Sequence, residues 1–236
     1  MFPTLQIGGF ALPLRPVLWL AGFWLCLTLT ERRLPRFGLD GELAWTVGGM
    51  AGGVGLAAAR VWYALSHWSS YQYDLGALAA PTIATLSLPE GAAVGLIISL
   101  AYLRRRRVPL APFADAATPG LLAAFGLASI GALFGGDAYG APTTVPWAIR
   151  LWDEQRHPSQ IYEALVALAA WIIVGRLPSP RAGFTFLTAT AVYAMGRVFV
   201  EAFRGDSLLI GDGVRAMQAV WLGTALLAVG LMDRGK

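Results

Sequence analysis

The chain has 236 residues, of which 56% are hydrophobic and only 14% charged, with a formal net charge of +4. A soluble domain carries about 25% charged residues, and a water-exposed chain this apolar would present more hydrophobic surface than it could hide. Composition therefore excludes an ordinary soluble protein and points to a bilayer as the solvent. The single Cys26 excludes an internal disulfide or a cysteine-based zinc cluster. The basic residues fall between apolar runs rather than on one face, which argues for membrane topology and against a nucleic-acid partner.

A span needs about 20 mostly apolar residues. Such runs lie at 14–30, 43–66, 83–103, 116–135, 159–176, 183–204 and 213–232. The first is not a cleavable signal peptide, because it lacks an A-x-A-like site and "TERRLPR" follows it. The second carries "AARVWYAL", with Arg60 a few residues from the end; Arg60 either snorkels outward or joins an anion site. The third is interrupted by Pro89 and Glu90. A helix starting at Glu90 would be short, with 67–89 forming a long, partly ordered excursion.

The fourth run leads into "SIGALFGGDAYGAPTTVPW", Ser129 to Trp147. Gly131, Gly135, Gly136 and Gly140 around Asp137 either let backbone approach a ligand or make a plain turn between helices. The fifth run is entered through "RHPSQIYEA", residues 156–164. Pro158 suits the first helical position, with His157 as the N-cap. Glu163 then lies in the first turns, where the helix dipole favours negative charge. His157, Gln160 and Glu163 are spaced i, i+3, i+6, on one face. The sixth run ends "VYAMGRVFVEAFRGD", where Tyr193, Arg197, Glu201 and Arg204 recur at i, i+4, i+8, i+11, again one face.

An ionisable group inside a span costs about 3 kcal/mol by insertion scales, which makes each of these a functional candidate. Arg197 and Glu201 form either a structural ion pair or part of a cavity in which Arg197 holds an anion through a bidentate fork. Glu163 acts either as a general base or as the partner that orients a cation.

Lys and Arg set the orientation. Arg32, Arg33, Arg36, Arg104 to Arg107, Arg176, Arg181, Arg234 and Lys236 fall on one side; Arg15, Arg150, Arg156, Arg204 and Arg215 fall on the other. The richer side is cytoplasmic, so the N-terminus is expected outside and the C-terminus in the cytoplasm. The expected fold is an all-α integral membrane protein of about seven transmembrane helices, forming one polytopic domain over 1–236. The polar clusters then lie toward the outer surface.

Four of these segments resemble the prolipoprotein diacylglyceryl transferases of bacteria. "RHPSQIYEALV" is similar to the family's His-Pro-Ser/Thr-Gln-Leu-Tyr-Glu-Ala string. "GRVFVEAFRGDS" resembles its Arg-Phe/Ile-x-Val-Glu-Phe-Phe-Arg segment, "ARVWYAL" its Ala-Arg-Leu/Ile-Gly-Tyr-Val-Leu, and "DAYGAPTTVPWAI" part of its signature loop. The resemblance implies transfer of a diacylglyceryl group from phosphatidylglycerol to the lipobox cysteine thiol of a preprolipoprotein, in the bacterial cytoplasmic membrane, with no metal or redox cofactor. It implies catalytic roles for Arg197, Glu163 and His157. It places Gln160, Tyr193, Glu201, Asp137, Gly140 and Arg60 around the substrate.

The chain departs from the family pattern at two places. Where the loop has Gly-Arg-Ile-Gly-Asn-Phe-x-Asn-Gly-Glu, this chain reads "ASIGALFGGD". The headgroup-binding arginine becomes Ser129, the asparagines become Ala132 and Gly135, and the glutamate becomes Asp137. The family's histidine in Met-Ser-Phe-His-Gly-Gly falls at Pro89, beside Glu90. Arg60, Arg150 and Arg156 are candidates to replace the lost cation. The alternative function is a relative that binds lipid or lipoprotein without transferring.

Overall fold

The structure, a computed structural model, describes residues 4–8, 10–73, 76, 85–210 and 213–233. Each of the seven apolar runs overlaps one long helix: α1 Leu14–Arg33, α2 Leu43–Ser66, α4 Leu88–Arg105, α5 Leu110–Gly135, α6 Ser159–Arg176, α7 Phe184–Glu201 and α8 Ala216–Asp233. The four-residue α3, Trp68–Tyr71, lies between α2 and α4. Of these, α5, α6 and α8 are long and apolar enough to cross a membrane. Three antiparallel hairpins punctuate the helices: Thr4–Ile7 with Phe10–Pro13 (β1, β2), Ile149–Leu151 with Glu154–Arg156 (β3, β4), and Leu209–Ile210 with Val214–Arg215 (β5, β6). Pattern reading missed all three because each strand is four residues or fewer, too short for an alternation to register.

Two sequence expectations are corrected. Helix α4 begins at Leu88, not Glu90, with Pro89 in its first turn. Proline is tolerated there because the first N–H groups of a helix have no intrahelical acceptor. Part of the expected excursion, 74–75 and 77–84, lies outside the described residues, as do Arg234 and Lys236. Second, the N-cap of α6 is Pro158, so His157 sits one residue before the cap.

The chain divides into two compact units, residues 31–113 and residues 1–30 with 114–236. In the first, α2 and α4 meet along small residues. A Cβ on Gly91 would come within 2.5 Å of Ala59 Cβ, and one on Gly95 within 2.4 Å of the Ala51 carbonyl oxygen. Ala51, Gly55 and Ala59 thus face Gly91, Gly95 and Ser99, and Ser99 donates to the Val47 carbonyl at 3.3 Å. Small residues four apart let membrane helices approach backbone to backbone. Arg60 belongs to this unit, where it donates to the Thr85 carbonyl at 3.1 Å and to the Thr85 hydroxyl, and lies over the Tyr71 ring.

In the second unit, Leu122 of α5, Ala167, Ala170 and Val174 of α6, and Ala189 and Tyr193 of α7 form a buried cluster, with Trp221 of α8 against it. A fully buried carboxylate fixes the start of α7. Asp115 accepts the backbone N–H of Gly183 at 2.6 Å and of Phe186 at 2.8 Å. Gly183 occupies the cap position at φ 87° and has no side chain with which to cap its own helix. Asp115 supplies that acceptor from 68 residues away, where the helix dipole also favours a negative charge. Asp115→Ala should therefore lower stability by about 1–2 kcal/mol, read as a lower midpoint of thermal unfolding in detergent. An unchanged midpoint would show that water or lipid caps α7 equally well.

Candidate functional site

The end of α5, the start of α6, the end of α7 and the approach to α8 meet at one end of the second unit, and the polar residues of the sequence converge there. At their centre is Glu163, buried five residues into α6. Its Oε1 forms an ion pair with Arg197 NH2 at 3.1 Å and accepts a hydrogen bond from Arg204 NH1 at 2.8 Å. Its Oε2 lies 3.4 Å from Ser129 Oγ on α5. A hydroxyl has one proton, and that of Ser129 makes the shorter bond, 3.0 Å, to the Phe125 carbonyl.

The α7 face therefore does form, and it meets the α6 face. Arg197 turns mainly to Glu163, with Glu201 farther off at 3.9 Å. Its guanidinium stands 4.9 Å above the Trp221 ring, and NH1 makes one long contact, 3.5 Å, to the Tyr193 hydroxyl. Its Nε is buried and has no hydrogen-bond partner among the described residues. Arg204 is held more fully: beyond Glu163 it makes a two-pronged bond to Asp206, at 2.9 and 2.7 Å. Glu201, 2% exposed, is 3.9 Å from each arginine and accepts the Ser207 hydroxyl. The half-buried Arg197 and Arg204 thus compensate the buried carboxylates Glu163 and Glu201, with Asp206 also on Arg204.

The glycine loop is clamped between α6 and the segment after α7. Ser159 Oγ donates to the Ala138 carbonyl at 2.6 Å, and the fully buried Gln160 donates from Nε2 to the Asp137 carbonyl at 2.7 Å. Gly205 N–H reaches the Tyr139 carbonyl, and Ala141 N–H the Phe203 carbonyl. A Cβ on Gly140 would lie 2.1 Å from the His157 carbonyl oxygen, so glycine is required there by the protein's own backbone. Asp137 pairs with Arg15 from the start of α1, whose guanidinium covers Trp19. His157 is half-buried, with its ring edge-on to Phe203 at 5.0 Å and Nδ1 3.3 Å from the Tyr162 hydroxyl.

The arginines at Glu163 are thus Arg197 and Arg204. Arg150 is exposed and pairs with Asp153 in the β3–β4 turn, while Arg156 bonds the Gly140 carbonyl and Glu154 and covers the Tyr139 ring. Sequence reasoning placed Arg204 on the α7 face without giving it a role. It missed Arg15, Asp206, Ser207 and Trp221. A tryptophan in an apolar run carries no polar signal, and the other partners are fixed by chain reversals.

A profile of the prolipoprotein diacylglyceryl transferase family matches residues 4–233. The phosphatidylglycerol–prolipoprotein diacylglyceryl transferase of Nostoc sp. is 29% identical over 232 residues, covering 90% of this chain and 80% of that one. The protein of the same name from Gloeobacter violaceus is 29% identical over 254 residues, covering 96% and 90%. That of Clostridioides difficile is 25% identical over 208 residues, covering 87% and 84%.

Proposed function

This chain belongs to the prolipoprotein diacylglyceryl transferase family, and we propose that it transfers a diacylglyceryl group from phosphatidylglycerol to the thiol of a lipobox cysteine on an exported preprolipoprotein. In this reaction a carbon–sulfur bond forms at the glycerol carbon and the bond from that carbon to the phosphate oxygen breaks. The thiol proton passes to a base, and glycerol phosphate leaves.

The observation that carries the proposal is Arg197. Its NH2 is anchored by Glu163, while among the described residues Nε has no partner and NH1 only a long contact. A guanidinium held on one side and open on the other is arranged to receive a phosphate oxygen through charge-assisted hydrogen bonds. Negative charge grows on the phosphate as the carbon–oxygen bond breaks, and a preorganised cation in a water-poor site stabilises it.

Glu163 then orients Arg197 and Arg204 rather than taking a proton, because its carboxylate is already bonded to both. His157, the imidazole of this cluster, is the base that generates the thiolate, the nucleophilic form of cysteine. Tyr193 and Glu201 brace the arginines, and Gln160, Gly140 and Asp137 fix the loop that closes over them. In this scheme the seven helices span the bacterial cytoplasmic membrane as one multi-pass domain, with the N-terminus outside, the C-terminus in the cytoplasm, and the site near the outer headgroups.

The test is purified protein with phosphatidylglycerol and a synthetic lipobox peptide, read by mass spectrometry for a diacylglyceryl adduct on cysteine. An adduct supports the transferase. No adduct, with an active relative working in the same assay, would favour the lipid-binding alternative that Ser129 and Pro89 suggest.

A further inference from the structure

Below the arginines, α5, α7 and α8 leave a slot of about 280 Å³. One end is formed by Phe125, Tyr193 and Trp221, the other by Thr118 and Phe186. Tyr193 is one turn before Arg197 on α7, and Phe186 is seven residues earlier, so the slot runs about 10 Å down the helix at 1.5 Å per residue. A single leaflet of hydrocarbon is about 15 Å deep. The slot therefore parallels roughly two-thirds of a leaflet, starting directly under the cation.

Its walls are apolar in a specific way. Thr118, Thr190 and Thr224 all face it, yet each hydroxyl donates to the carbonyl four residues back in its own helix, at 2.8 Å in every case. The threonines thus contribute no unsatisfied donor. One lining side chain differs: Trp221 Nε1 is buried without a hydrogen-bond partner among the described residues. Its ring is also the one that Arg197 covers at 4.9 Å. A buried indole N–H at the top of an apolar slot calls for an acceptor that belongs to whatever occupies the slot.

We propose that the slot seats one acyl chain of the glycerophospholipid whose phosphate Arg197 holds, and that Trp221 Nε1 donates to the ester carbonyl of that chain. In a glycerolipid the carbonyl lies between phosphate and chain, the order in which Arg197, Trp221 and the slot are stacked. Trp221 is then a specificity residue that reads the ester linkage. The inference rests on the proposed lipid donor, and it is tested through binding so that it stands or falls separately from turnover.

The full-length protein in detergent is titrated with diester and diether phosphatidylglycerol of equal chain length, and Kd is read by native mass spectrometry. The diester should bind several-fold more tightly, up to about tenfold, the range of one net hydrogen bond. Trp221→Phe keeps a ring for Arg197 to cover but loses the N–H together with the indole's second ring, so it should bring the Kd values of diester and diether together, whatever change it makes to both alike. Equal Kd values for the two lipids in the unmodified protein, or a preference that survives in Trp221→Phe, would overturn the carbonyl contact.

Thr190→Phe narrows the slot from its side and provides a second check that does not depend on Trp221. It should weaken binding of a long-chain phosphatidylglycerol relative to a dioctanoyl one. Equal weakening of both overturns the slot assignment, as does unchanged lipid binding with weakened binding of a lipobox peptide, which would give the slot to the peptide's apolar segment. Normal lipid selectivity without any cysteine adduct would refute the transferase and leave the acyl site standing.

Discussion

Arg197→Ala should lower kcat for diacylglyceryl transfer on the order of 100- to 1000-fold, the loss found when one preorganised donor to developing negative charge is removed. The fold should survive, because Glu163 keeps Arg204 at 2.8 Å and Glu201 keeps the Ser207 hydroxyl. What disappears is the guanidinium above Trp221, with its open Nε. Arg197→Lys retains a charge but not the planar fork, so it should recover only part of the rate. Turnover of the lipobox peptide and binding of phosphatidylglycerol, measured on the same preparations, separate the two functions of the residue. Full turnover in the alanine variant would remove Arg197 from the chemistry. Lost lipid binding in a protein that never forms an adduct would identify a binding relative.

The parts of this arrangement that were legible in the sequence are those with a local period. The i, i+4, i+8, i+11 stripe of Tyr193, Arg197, Glu201 and Arg204 lies within α7 and the turn after it, and helical geometry alone puts it on one face. Helix α6 was equally legible, since an apolar run of the right length follows a Pro-Ser start. The pairings were not legible. Glu163 and Arg204 are 41 positions apart, and Asp115 and Gly183 are 68 apart. Those distances reflect how α5, α6 and α7 reverse direction, which a linear pattern does not encode. Finding the partner of Arg197 had the same obstacle: the nearer carboxylate, Glu163, lies on another helix. The Gly140 case is instructive in the other direction. Glycine signalled a close backbone approach, and the approach is to His157 and Gly205 of the chain itself.

Glu163→Gln offers the sharpest separation between a carboxylate that moves a proton and one that holds cations in place. The substitution leaves the half-buried Arg197 with only Glu201, at 3.9 Å, and the half-buried Arg204 with Glu201, at 3.9 Å, and Asp206. Removing one partner of a buried ionic group costs about 3–5 kcal/mol, because the remaining charge is uncompensated. Glu201 and Asp206 share the load, so a loss of about 3 kcal/mol is expected, at the low end of that range. If Glu163 orients the arginines, the variant should be strongly destabilised without lipid and recover when an anionic headgroup supplies the missing negative charge. Ligand that binds the folded state raises its stability by mass action, so phosphatidylglycerol should raise the thermal midpoint of Glu163→Gln more than that of the unmodified protein. Its affinity for the lipid should hold or improve while kcat falls, since the arginines are no longer fixed by a carboxylate. If Glu163 is instead the base, kcat falls without that differential rescue, and the assignment of proton transfer to His157 fails.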